Sequence, residues 1–423
     1  MSTSMSSDHD VVIVGASIAG CTAATLLARR GARVALVERR PDPQAFKRVC
    51  GHFIQSSAVP MLERSGLLEP IERAGAVRTR SRIWTRWGWI EPPDRSTLPA
   101  SLNLRRERLD PLLRAIASET PGVTTLLGAT VDGLLFDGAR VAGVETRDGG
   151  GRRRRLHARL VVGADGRQSP VAKLAGLDSR VRPHGRFVYG AYFEGTPPAA
   201  APNGSLWFLD PQWAAAFPTD GGLTLYSCML THDRLPEFRR DPARALRAFF
   251  ADLPDPPPVA DSRIVGSVIG KLQMPNVRRG PTGPGIALVG DAALAADPVF
   301  GVGCGWAFQA AEWLADATAP ALAGAEPLEV GLRRYRRRFR HALLAHDDLI
   351  SGYATGRRMN AAERQIFSTA ARDPRLAARF EAFGTRNVDP RRFVAAAMPR
   401  IAASQARRTL GARRSARPLE VTA

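Results

Sequence analysis

The first forty residues alternate between short apolar runs and a turn with glycine at both ends. The β-branched run at 11–14 is typical of a buried parallel strand, and residues 34–37 predict a second such strand. Between them, the turn at 15–20 leads into an alanine- and leucine-rich stretch at 21–30, which predicts a helix. The pattern therefore predicts one βαβ unit within about thirty residues.

The pattern changes further along the chain. Residues 131–146 alternate around an Asp-Gly pair, which signals a hairpin, and residues 187–231 are strand-like with glycine and proline turns. Two more buried strands, at 160–162 and 286–289, each lead into a turn that contains glycine and aspartate. The chain after about residue 303 is mostly helical in pattern. An α/β fold with an additional antiparallel sheet and a helical C-terminal part follows from this order.

The composition narrows the choice of partners. The chain has 423 residues, with 60 Lys and Arg against 40 Asp and Glu, so the formal net charge is +20. This length predicts two or three domains. The positive excess would suit a nucleic acid or an anionic surface. However, the dense arginine run at 333–340 has neither an aromatic platform nor a DNA-binding motif beside it. We expect a solvated helix there and no nucleic-acid partner.

The cysteines and the apolar runs indicate the compartment. Four cysteines lie far apart without a CxxC pair, which favours a reducing compartment and argues against a metal site. The uncharged run at 11–28 is long enough for a membrane span, but Gly15, Ser17 and Gly20 interrupt it. We expect a cytoplasmic protein with no membrane span. The sequence does not decide its oligomeric state.

The turn after the first strand carries the first candidate site. Its six residues are Gly15, Ala16, Ser17, Ile18, Ala19 and Gly20. Such a turn lets the backbone approach a pyrophosphate, and the helix N-terminus behind it offers free N–H groups. Glu38, at the end of the next strand, is placed to accept hydrogen bonds from a ribose. Ser17 replaces the second glycine of G-x-G-x-x-G, and its small side chain still permits close approach. These features predict a dinucleotide site.

Two later turns that follow buried strands also carry an aspartate. They contain Asp165-Gly166, then Asp291, and shortly afterwards Pro298, Gly301 and Gly303. A strand delivers Asp291 to a sheet edge, where its carboxylate is placed to bind a sugar-like hydroxyl chain. The glycines after it let a helix N-terminus meet a planar ligand. Each turn alone is no more than a strand-to-helix connection, so their combination carries the signal.

In order and spacing, the three motifs resemble FAD-dependent monooxygenases of the aromatic-hydroxylase (p-hydroxybenzoate hydroxylase-like) class. Geranylgeranyl reductases and flavin-dependent halogenases share that scaffold. The resemblance covers about residues 10–325 and implies an α/β, Rossmann-like FAD-binding domain with an inserted antiparallel β-sheet substrate domain and a helical C-terminal extension. The implied segments are 8–83, 105–183 and 276–325 for FAD binding, 84–104 and 184–275 for the substrate sheet, and 326–423 for the extension.

The resemblance also implies which residues contact the phosphates and the adenosine of FAD. Residues 15–20 would bind the pyrophosphate, and Glu38 would bind the adenosine ribose, with Arg39 beside it. Arg48 resembles the arginine that reaches the cofactor phosphates in this class.

Other residues are implied at the flavin end. Arg106, at the start of an R-x-x-L pattern, resembles the polar residue beside the flavin, with Arg105 as the less favoured register. Asp165 and Gly166 match the motif that contacts both FAD and NAD(P)H, and Asp291 matches the ribityl-binding aspartate. The segment expected along the isoalloxazine ring contains Pro298, Gly301 and Gly303.

The implied reaction is oxygen transfer. NAD(P)H reduces FAD, O₂ forms a C4a-hydroperoxyflavin, and a substrate is hydroxylated or epoxidised. An apolar lining favours an apolar, secondary-metabolite-like small molecule, with an aromatic compound as one option. The side chains considered for this lining are Trp84, Trp87, Trp89, Phe217 and Trp306. Each of them alone is more often an ordinary core aromatic.

No side chain stands out as the catalytic base. His52, Lys47 and Gln55 share one segment and are the candidates, although a lone histidine is more often structural. Cys50 and Cys304 also fall in segments expected near the ring, where buried inert thiols are a better expectation than a redox disulfide.

Two other reactions stay open. Residues 87–92 resemble the W-x-W-x-I-P motif of halogenases, but they contain an extra glutamate and precede the Asp165-Gly166 turn, so we treat the match as chance. A prenyl double-bond reductase would form its product without oxygen. The choice between NADH and NADPH stays open, because no separate nicotinamide-nucleotide fold is visible.

Overall fold

The computed structural model describes residues 9–94, 96–195, 197–260 and 262–415, with side chains described to residue 405. Its strands are β1 (His9–Val14), β2 (Val34–Glu38), β3 (Phe53–Ile54), β4 (Val77–Thr79), β5 (Ser81–Thr85), β6 (Gly88–Ile90), β7 (Ser101–Asn103), β8 (Val123–Leu127), β9 (Thr130–Asp137), β10 (Arg140–Arg147), β11 (Arg153–Gly163), β12 (Ser179–Arg182), β13 (Arg186–Glu194), β14 (Gly204–Phe208), β15 (Trp213–Pro218), β16 (Thr224–Thr231), β17 (Arg263–Lys271), β18 (Asn276–Arg279), β19 (Thr282–Gly283), β20 (Ile286–Leu288) and β21 (Leu294–Ala295). Its helices are α1 (Ile18–Ala28), α2 (Val59–Arg64), α3 (Leu68–Arg73), α4 (Arg106–Glu119), α5 (Pro170–Leu174), α6 (Leu235–Arg239), α7 (Pro242–Ala251), α8 (Val302–Leu322), α9 (Leu328–Tyr353), α10 (Ala361–Ala370), α11 (Pro374–Gly384) and α12 (Pro390–Ser415).

A mostly parallel sheet forms the first layer. Its strands follow the order β19-β20-β11-β1-β2-β8, and the hairpin of β9 and β10 joins it through β11. Strand β1 pairs in parallel with β2 and β11, and β11 pairs in parallel with β20. Every residue of β2 is buried, as the continuous apolar run predicts for a strand covered on both faces. The predicted βαβ unit is confirmed, with α1 as its crossover helix.

A second sheet of seven strands has the order β17-β13-β16-β15-β14-β5-β6. Its pairs are antiparallel except for β5 with β14, which run parallel. One face packs on α6 and α7 through Phe238, Leu246 and Phe250. Strand β5 begins at Ser81, slightly before the segment expected to start this sheet, and the domain boundaries as a whole stay predictions.

The C-terminal helices belong to the same core as the parallel sheet. One continuous apolar cluster runs from Val11 on β1 through Phe308 on α8 and Phe339 on α9 to Phe380 on α11 and Phe393 on α12. The predicted helical extension is confirmed as far as residue 415. The predicted segment continues to 423, and residues 416–423 lie outside the described residues.

The helices bear on two expectations, the solvated arginine-rich helix and the lack of a membrane span. The arginines of the 333–340 run are exposed on α9, while Tyr335 and Phe339 are buried beneath them, which confirms the solvated helix. Within the described part of the chain, none of the helices combines the length and the apolarity that crossing a bilayer requires.

Candidate active site

The three predicted motifs meet at one edge of the parallel sheet. Gly15 donates its N–H to Val37 O (2.7 Å), Ala164 donates to Val14 O (2.8 Å), and Val289 donates to Gly163 O (2.9 Å). The carboxyl ends of β1, β2, β11 and β20 are thereby held side by side. Ligands of open α/β sheets bind outside the carboxyl ends of the strands, so this edge is the candidate cofactor site.

The first turn requires glycine for close packing. Gly15 has φ +104°, and a Cβ atom there would lie 2.5 Å from Ala164 O. A Cβ atom at Gly20 would lie 1.8 Å from Gly15 O. Since no side chain fits at these distances, glycine is required at both positions for the turn to pack this closely on the strand ends.

The N-terminus of α1 suits a phosphate group. Among the described residues, no side chain caps this helix at Ser17. Ala16 N donates to Glu38 Oε2 (2.9 Å), which fixes the turn against the end of β2. Burial raises the pKa of the Glu38 carboxyl, but hydrogen bonds from the Ala16 and Arg40 backbones and the Arg40 charge lower it further, so the net shift is downward. The ionised carboxylate is an acceptor for ribose hydroxyls, and Arg39 is exposed directly after it.

The two candidate arginines before α4 are placed differently. Arg106 is buried and donates through Nη2 to Ser17 Oγ (2.7 Å) and to Asp110 Oδ1 (2.6 Å). Arg105 instead pairs with Asp220 of the second sheet (2.8 Å). Arg106 is therefore the arginine in contact with the phosphate turn. Sequence reasoning missed Asp110. It lies four residues after Arg106 on a predicted helix, and this spacing indicates an ion pair between the two side chains.

The Asp165-Gly166 turn has a clear structural role. Asp165 accepts hydrogen bonds from Ser169 Oγ (2.6 Å) and Val171 N (2.9 Å), and so holds the start of α5. Burial is the largest cause of the raised pKa of this carboxyl. Ser169 caps α5, as expected, by accepting from Ala172 N (3.1 Å). Contact of Asp165 or Gly166 with a cofactor stays a prediction.

Asp291 faces a lysine at the same edge. Lys47 Nζ lies 2.8 Å from Asp291 Oδ2, and the side chains are 46% and 23% exposed, respectively. Burial raises the pKa of Asp291, but the Lys47 charge lowers it further, so the carboxylate is ionised. Lys47, a candidate catalytic residue, is thus placed as the ion-pair partner of Asp291. Arg48, next to it, is exposed.

The segment from Pro298 to Gly303 leads into the N-terminus of α8. Phe300 and Gly301 both have left-handed φ angles, of 62° and 63°, and a Cβ atom at Gly301 would lie 2.5 Å from Phe53 Cδ1. A Cβ atom at Gly303 would meet no described atom within 4 Å, and no described side chain caps α8. An open, uncapped helix N-terminus attracts negative charge, so this segment fits the flavin end of FAD.

His52 and Gln55, the other candidates, lie on either side of Phe53. His52 has φ 57°, and its Nε2 is hydrogen-bonded to Tyr192 Oη of the second sheet. Gln55 is fully buried and donates through Nε2 to Phe300 O (3.0 Å) and Gly384 O (2.9 Å). Nothing in the sequence signalled Tyr192, because its contact with His52 depends on how the second sheet packs on the first domain.

Two thiols lie beside this segment. Cys50 Sγ is 3.7 Å from Cys304 Sγ, and both cysteines are free. A hydrogen bond from Cys304 and the charge of Arg106 hold the pKa of the Cys50 thiol well below its usual value, whereas the pKa of Cys304 is raised. The two thiols are therefore neighbours, and their shifted pKa values favour ionisation of Cys50 over ionisation of Cys304.

A second pair missed by sequence reasoning supports the flavin segment. His184 Nε2 is 2.6 Å from Asp297 Oδ2, and both side chains are almost fully buried. Asp297 Oδ1 accepts from Val299 N (2.7 Å), so the pair fixes the backbone next to Pro298.

A narrow cleft, with a cavity volume of about 40 Å³, lies between the second sheet, the flavin segment and α11. Four phenylalanines form its apolar walls: Phe53, Phe217, Phe300 and Phe380. Polar groups occur at its rim, where Arg80 pairs with Glu381 (2.6 Å). The remaining lining residues are Ser56, Thr79, Ser81, Ile83, Pro99, Ser101, Leu206, Gly384 and Thr385. A further cleft beside Trp87 and Arg358 shares no lining residue with it.

Most of the aromatic side chains considered for the lining lie outside this cleft, which agrees with the expectation that each is more often an ordinary core aromatic. Phe217 lines the cleft, but Trp84 and Trp89 pack in the cluster on the other face of the second sheet. Trp306 is buried on α8 and Trp87 lines the other cleft. Alternation along a strand decides which face a side chain occupies, and the sequence did not reveal which face met the first domain.

Residues 8–208 match the family model described as FAD binding domain. The chain carries an FAD-binding domain. The predicted FAD cofactor and the predicted fold class are thereby confirmed, and the motifs, the uncapped helix N-termini and the ionised Glu38 and Asp291 all fit that cofactor.

Known proteins with related sequences or structures differ in reaction. The chain is 37% identical to 6-methylpretetramide 4-monooxygenase of Streptomyces rimosus over 175 residues, which are 40% of this chain and 41% of that relative. It is 26% identical to digeranylgeranylglycerophospholipid reductase 1 of Methanococcoides burtonii over 372 residues, 79% of this chain and 80% of the relative. The flavin-dependent brominase Bmp2 superposes with a TM-score of 0.75 at 18% identity, covering 95% of this chain and 99% of the other. The scaffold shared by monooxygenases, reductases and halogenases is confirmed, and the reaction is left to the site.

Proposed function

We propose that the protein is an FAD-dependent monooxygenase that uses NAD(P)H and O₂ to hydroxylate or epoxidise an apolar, aromatic small molecule. The observation that carries the proposal is the phenylalanine-walled cleft against Phe300, on the segment that fits the flavin ring. Four aromatic walls suit a flat, apolar substrate, since aromatic rings favour stacked and edge-to-face contacts.

The residues of the chain would hold FAD along the sheet edge. The N-terminus of α1 would bind the pyrophosphate, Glu38 the adenosine ribose, and Asp291 the ribityl chain. Arg106 would support the phosphate turn through Ser17. The open N-terminus of α8 at Gly303 would stabilise negative charge on the ring. When bound and reduced by NAD(P)H, FAD would supply the two electrons that activate O₂; one atom of O₂ would enter the substrate and the other would leave as water.

The chain would also control water and protons at the cleft. Phe53, Phe217 and Phe300 exclude water from the face where the substrate and the ring meet. The hydrogen bond between His52 Nε2 and Tyr192 Oη provides a place where a proton is held or passed.

Two observations bear on the other reactions of this scaffold. The halogenase-like stretch is residues 87–92. Its Trp89 packs on Trp207, with 5.8 Å between the ring centres, in the apolar cluster on the face of the second sheet that points away from the cleft. Double-bond reduction is the second candidate, favoured by the 372-residue alignment with the archaeal reductase.

The test starts with the purified, FAD-loaded protein. We expect a flavin spectrum, reduction by NADH or NADPH under anaerobic conditions, and, in a panel of phenolic and polyketide-like aromatics, at least one compound that gains an oxygen atom from ¹⁸O₂. The product is identified by mass spectrometry. Product formation without oxygen would favour the reductase, and incorporation of bromide or chloride would favour the halogenase; either result overturns the proposal.

A further inference from the structure

Arg386 is a half-buried arginine, two of whose side-chain nitrogen atoms are fully buried. It follows α11 and has a left-handed φ of 62°, which is uncommon for a long side chain. Its Nη2 donates to Gln309 Oε1 on α8. Its Nε and Nη1 are buried and have no hydrogen-bond partner among the described residues. The ion pairs found in the described part of the chain do not include Arg386.

Two other nitrogen atoms without partners face the same region. The guanidinium carbon of Arg386 lies 5.8 Å from the ring centre of Trp306, whose buried Nε1 lacks a partner among the described residues. His346 on α9 stacks on Phe383 at 5.6 Å, and its Nε2 likewise has no described partner. Helices α8 and α9 and the segment after α11 thus each carry a buried nitrogen without a described partner, and the Arg386 charge acts on both neighbours, Trp306 and His346.

The charges around these groups favour the binding of an anion. Burial lowers the pKa of the Arg386 guanidinium to about 9, so it is still charged at pH 7. Burial and the Arg386 charge lower the pKa of His346 to about 4. The Asp389 charge and a hydrogen bond with the Phe383 backbone raise this pKa, but by less. Asp389 itself caps the next helix through Arg391 N (2.8 Å). A buried charge and buried donors without partners are costly, so folded proteins pair them.

We propose that Arg386, Trp306 and His346 form a binding site for one small monovalent anion, a halide or a carboxylate group. The anion would accept hydrogen bonds from Arg386 Nε or Nη1 and from Trp306 Nε1, and the His346 ring would lie beside it on the α9 side. Its place is behind Gly384 and Thr385, the wall of the phenylalanine-lined cleft, and beside the second turn of α8. The anion would therefore hold α8, α9 and the cleft wall together. None of these three residues is among those proposed above to hold FAD, and the site does not depend on the proposed reaction.

Thermal unfolding of the FAD-loaded full chain tests the site. Sodium chloride, bromide or formate is titrated at constant ionic strength against sodium gluconate, whose anion is too large for the site. We expect a saturable rise in Tm with the small anions. Arg386→Gln should remove the dependence, and Arg379→Gln, which deletes an exposed arginine on α11, should keep it.

A milder variant covers the case in which Arg386→Gln does not fold. Trp306→Phe keeps the ring and deletes only the N–H, and we expect the apparent anion dissociation constant to rise about fivefold to tenfold, as for one lost hydrogen bond. Crystals soaked in bromide should show an anomalous peak within hydrogen-bond distance of Arg386. A response to halides identifies a free inorganic ion, and a response to formate alone identifies a carboxylate ligand. The same Tm response in the wild type and in Trp306→Phe, or a bromide peak elsewhere only, would overturn the proposal.

Discussion

At the scale of single residues, the chemistry of the cofactor edge rests on a few carboxylates with assigned partners. Glu38 is held by backbone N–H groups, Asp110 by Arg106, and Asp291 by Lys47. The Lys47–Asp291 pair is partly exposed, so it contributes little to stability and leaves Asp291 available to a ligand.

We predict that Asp291→Asn weakens FAD binding about 10- to 100-fold, because a charged acceptor for hydroxyl groups becomes a neutral one. Flavin fluorescence titration of the apoprotein measures the dissociation constant. Asp316→Asn, which alters an exposed carboxylate on α8, is the control and should bind FAD like the wild type. Equal affinity of the wild type and Asp291→Asn would show that Asp291 does not contact the cofactor.

Gln55 has a special position between three parts of the molecule. Its amide nitrogen donates to the flavin segment at Phe300 and to the C-terminal part at Gly384, which fixes the amide orientation. Its Oε1 is buried and has no partner among the described residues, so it is an acceptor for a donor group of a bound ligand. This geometry supports Gln55 as a binding residue rather than as a catalytic base.

At the scale of elements, α9 shows how the arginine-rich sequence forms an ordinary amphipathic helix. Leu332, Tyr335, Phe339 and Leu343 are buried along one face, while the arginines between them are exposed. Tyr335 Oη donates to Leu288 O (2.7 Å) and so ties α9 to the strand that delivers Asp291.

Tyr335→Phe should therefore lower the free energy of unfolding by about 1–2 kcal/mol, because the fully buried Leu288 carbonyl loses a hydrogen bond. Arg336→Gln, on the exposed face of the same helix, should change it by less than about 0.5 kcal/mol. Urea unfolding followed by circular dichroism measures both variants. A similar loss in the two would mean that the hydrogen bond contributes nothing specific.

At the scale of the whole molecule, the C-terminal helices complete both the core and the cleft. The apolar cluster continues from the parallel sheet into α11 and α12, and α11 supplies Phe380 and Glu381 to the cleft. The extension is thus part of the candidate active site and not an appended unit.

The packing of α9 against this extension makes stability depend on pH. His346 is buried and its pKa is lowered from 6.5 to about 4, chiefly by burial and then by Arg386, with Asp389 opposing. Because the unfolded chain binds the proton more readily, stability is fully present above pH 6.5 and falls as the pH drops towards 4.

We predict that His346 accounts for up to about 3 kcal/mol of this loss between pH 6.5 and pH 4. His346→Phe keeps the stacking on Phe383 and should flatten the pH profile of the free energy of unfolding. His341→Phe, at an exposed position of α9, should leave the profile unchanged. Parallel profiles for the wild type and His346→Phe would contradict the assignment.

Local chemistry explains what was predictable. The βαβ unit, the glycine turn, Glu38, Asp291 and the start of α4 depend on neighbours within one strand, turn or helix. Tyr192 and the His184–Asp297 pair were missed because each acquires its role from a residue far away in sequence. Asp110 was missed although its partner Arg106 lies only four residues away on the same helix. The sequence could not show which tryptophans face the cleft, because alternation gives a strand two faces but does not show what packs on each face.

The sequence by itself determined the FAD-binding scaffold. Each of the three motifs lies within a short segment, and glycines, strand ends and helix starts in that segment set its backbone geometry locally. Only the tertiary structure decided what surrounds that cofactor edge: the four phenylalanines of the cleft, the fixed amide of Gln55, and the uncompensated Arg386. These come from the second sheet and the C-terminal helices, and the packing of one layer on another is a sum of many weak contacts that no short stretch of sequence encodes.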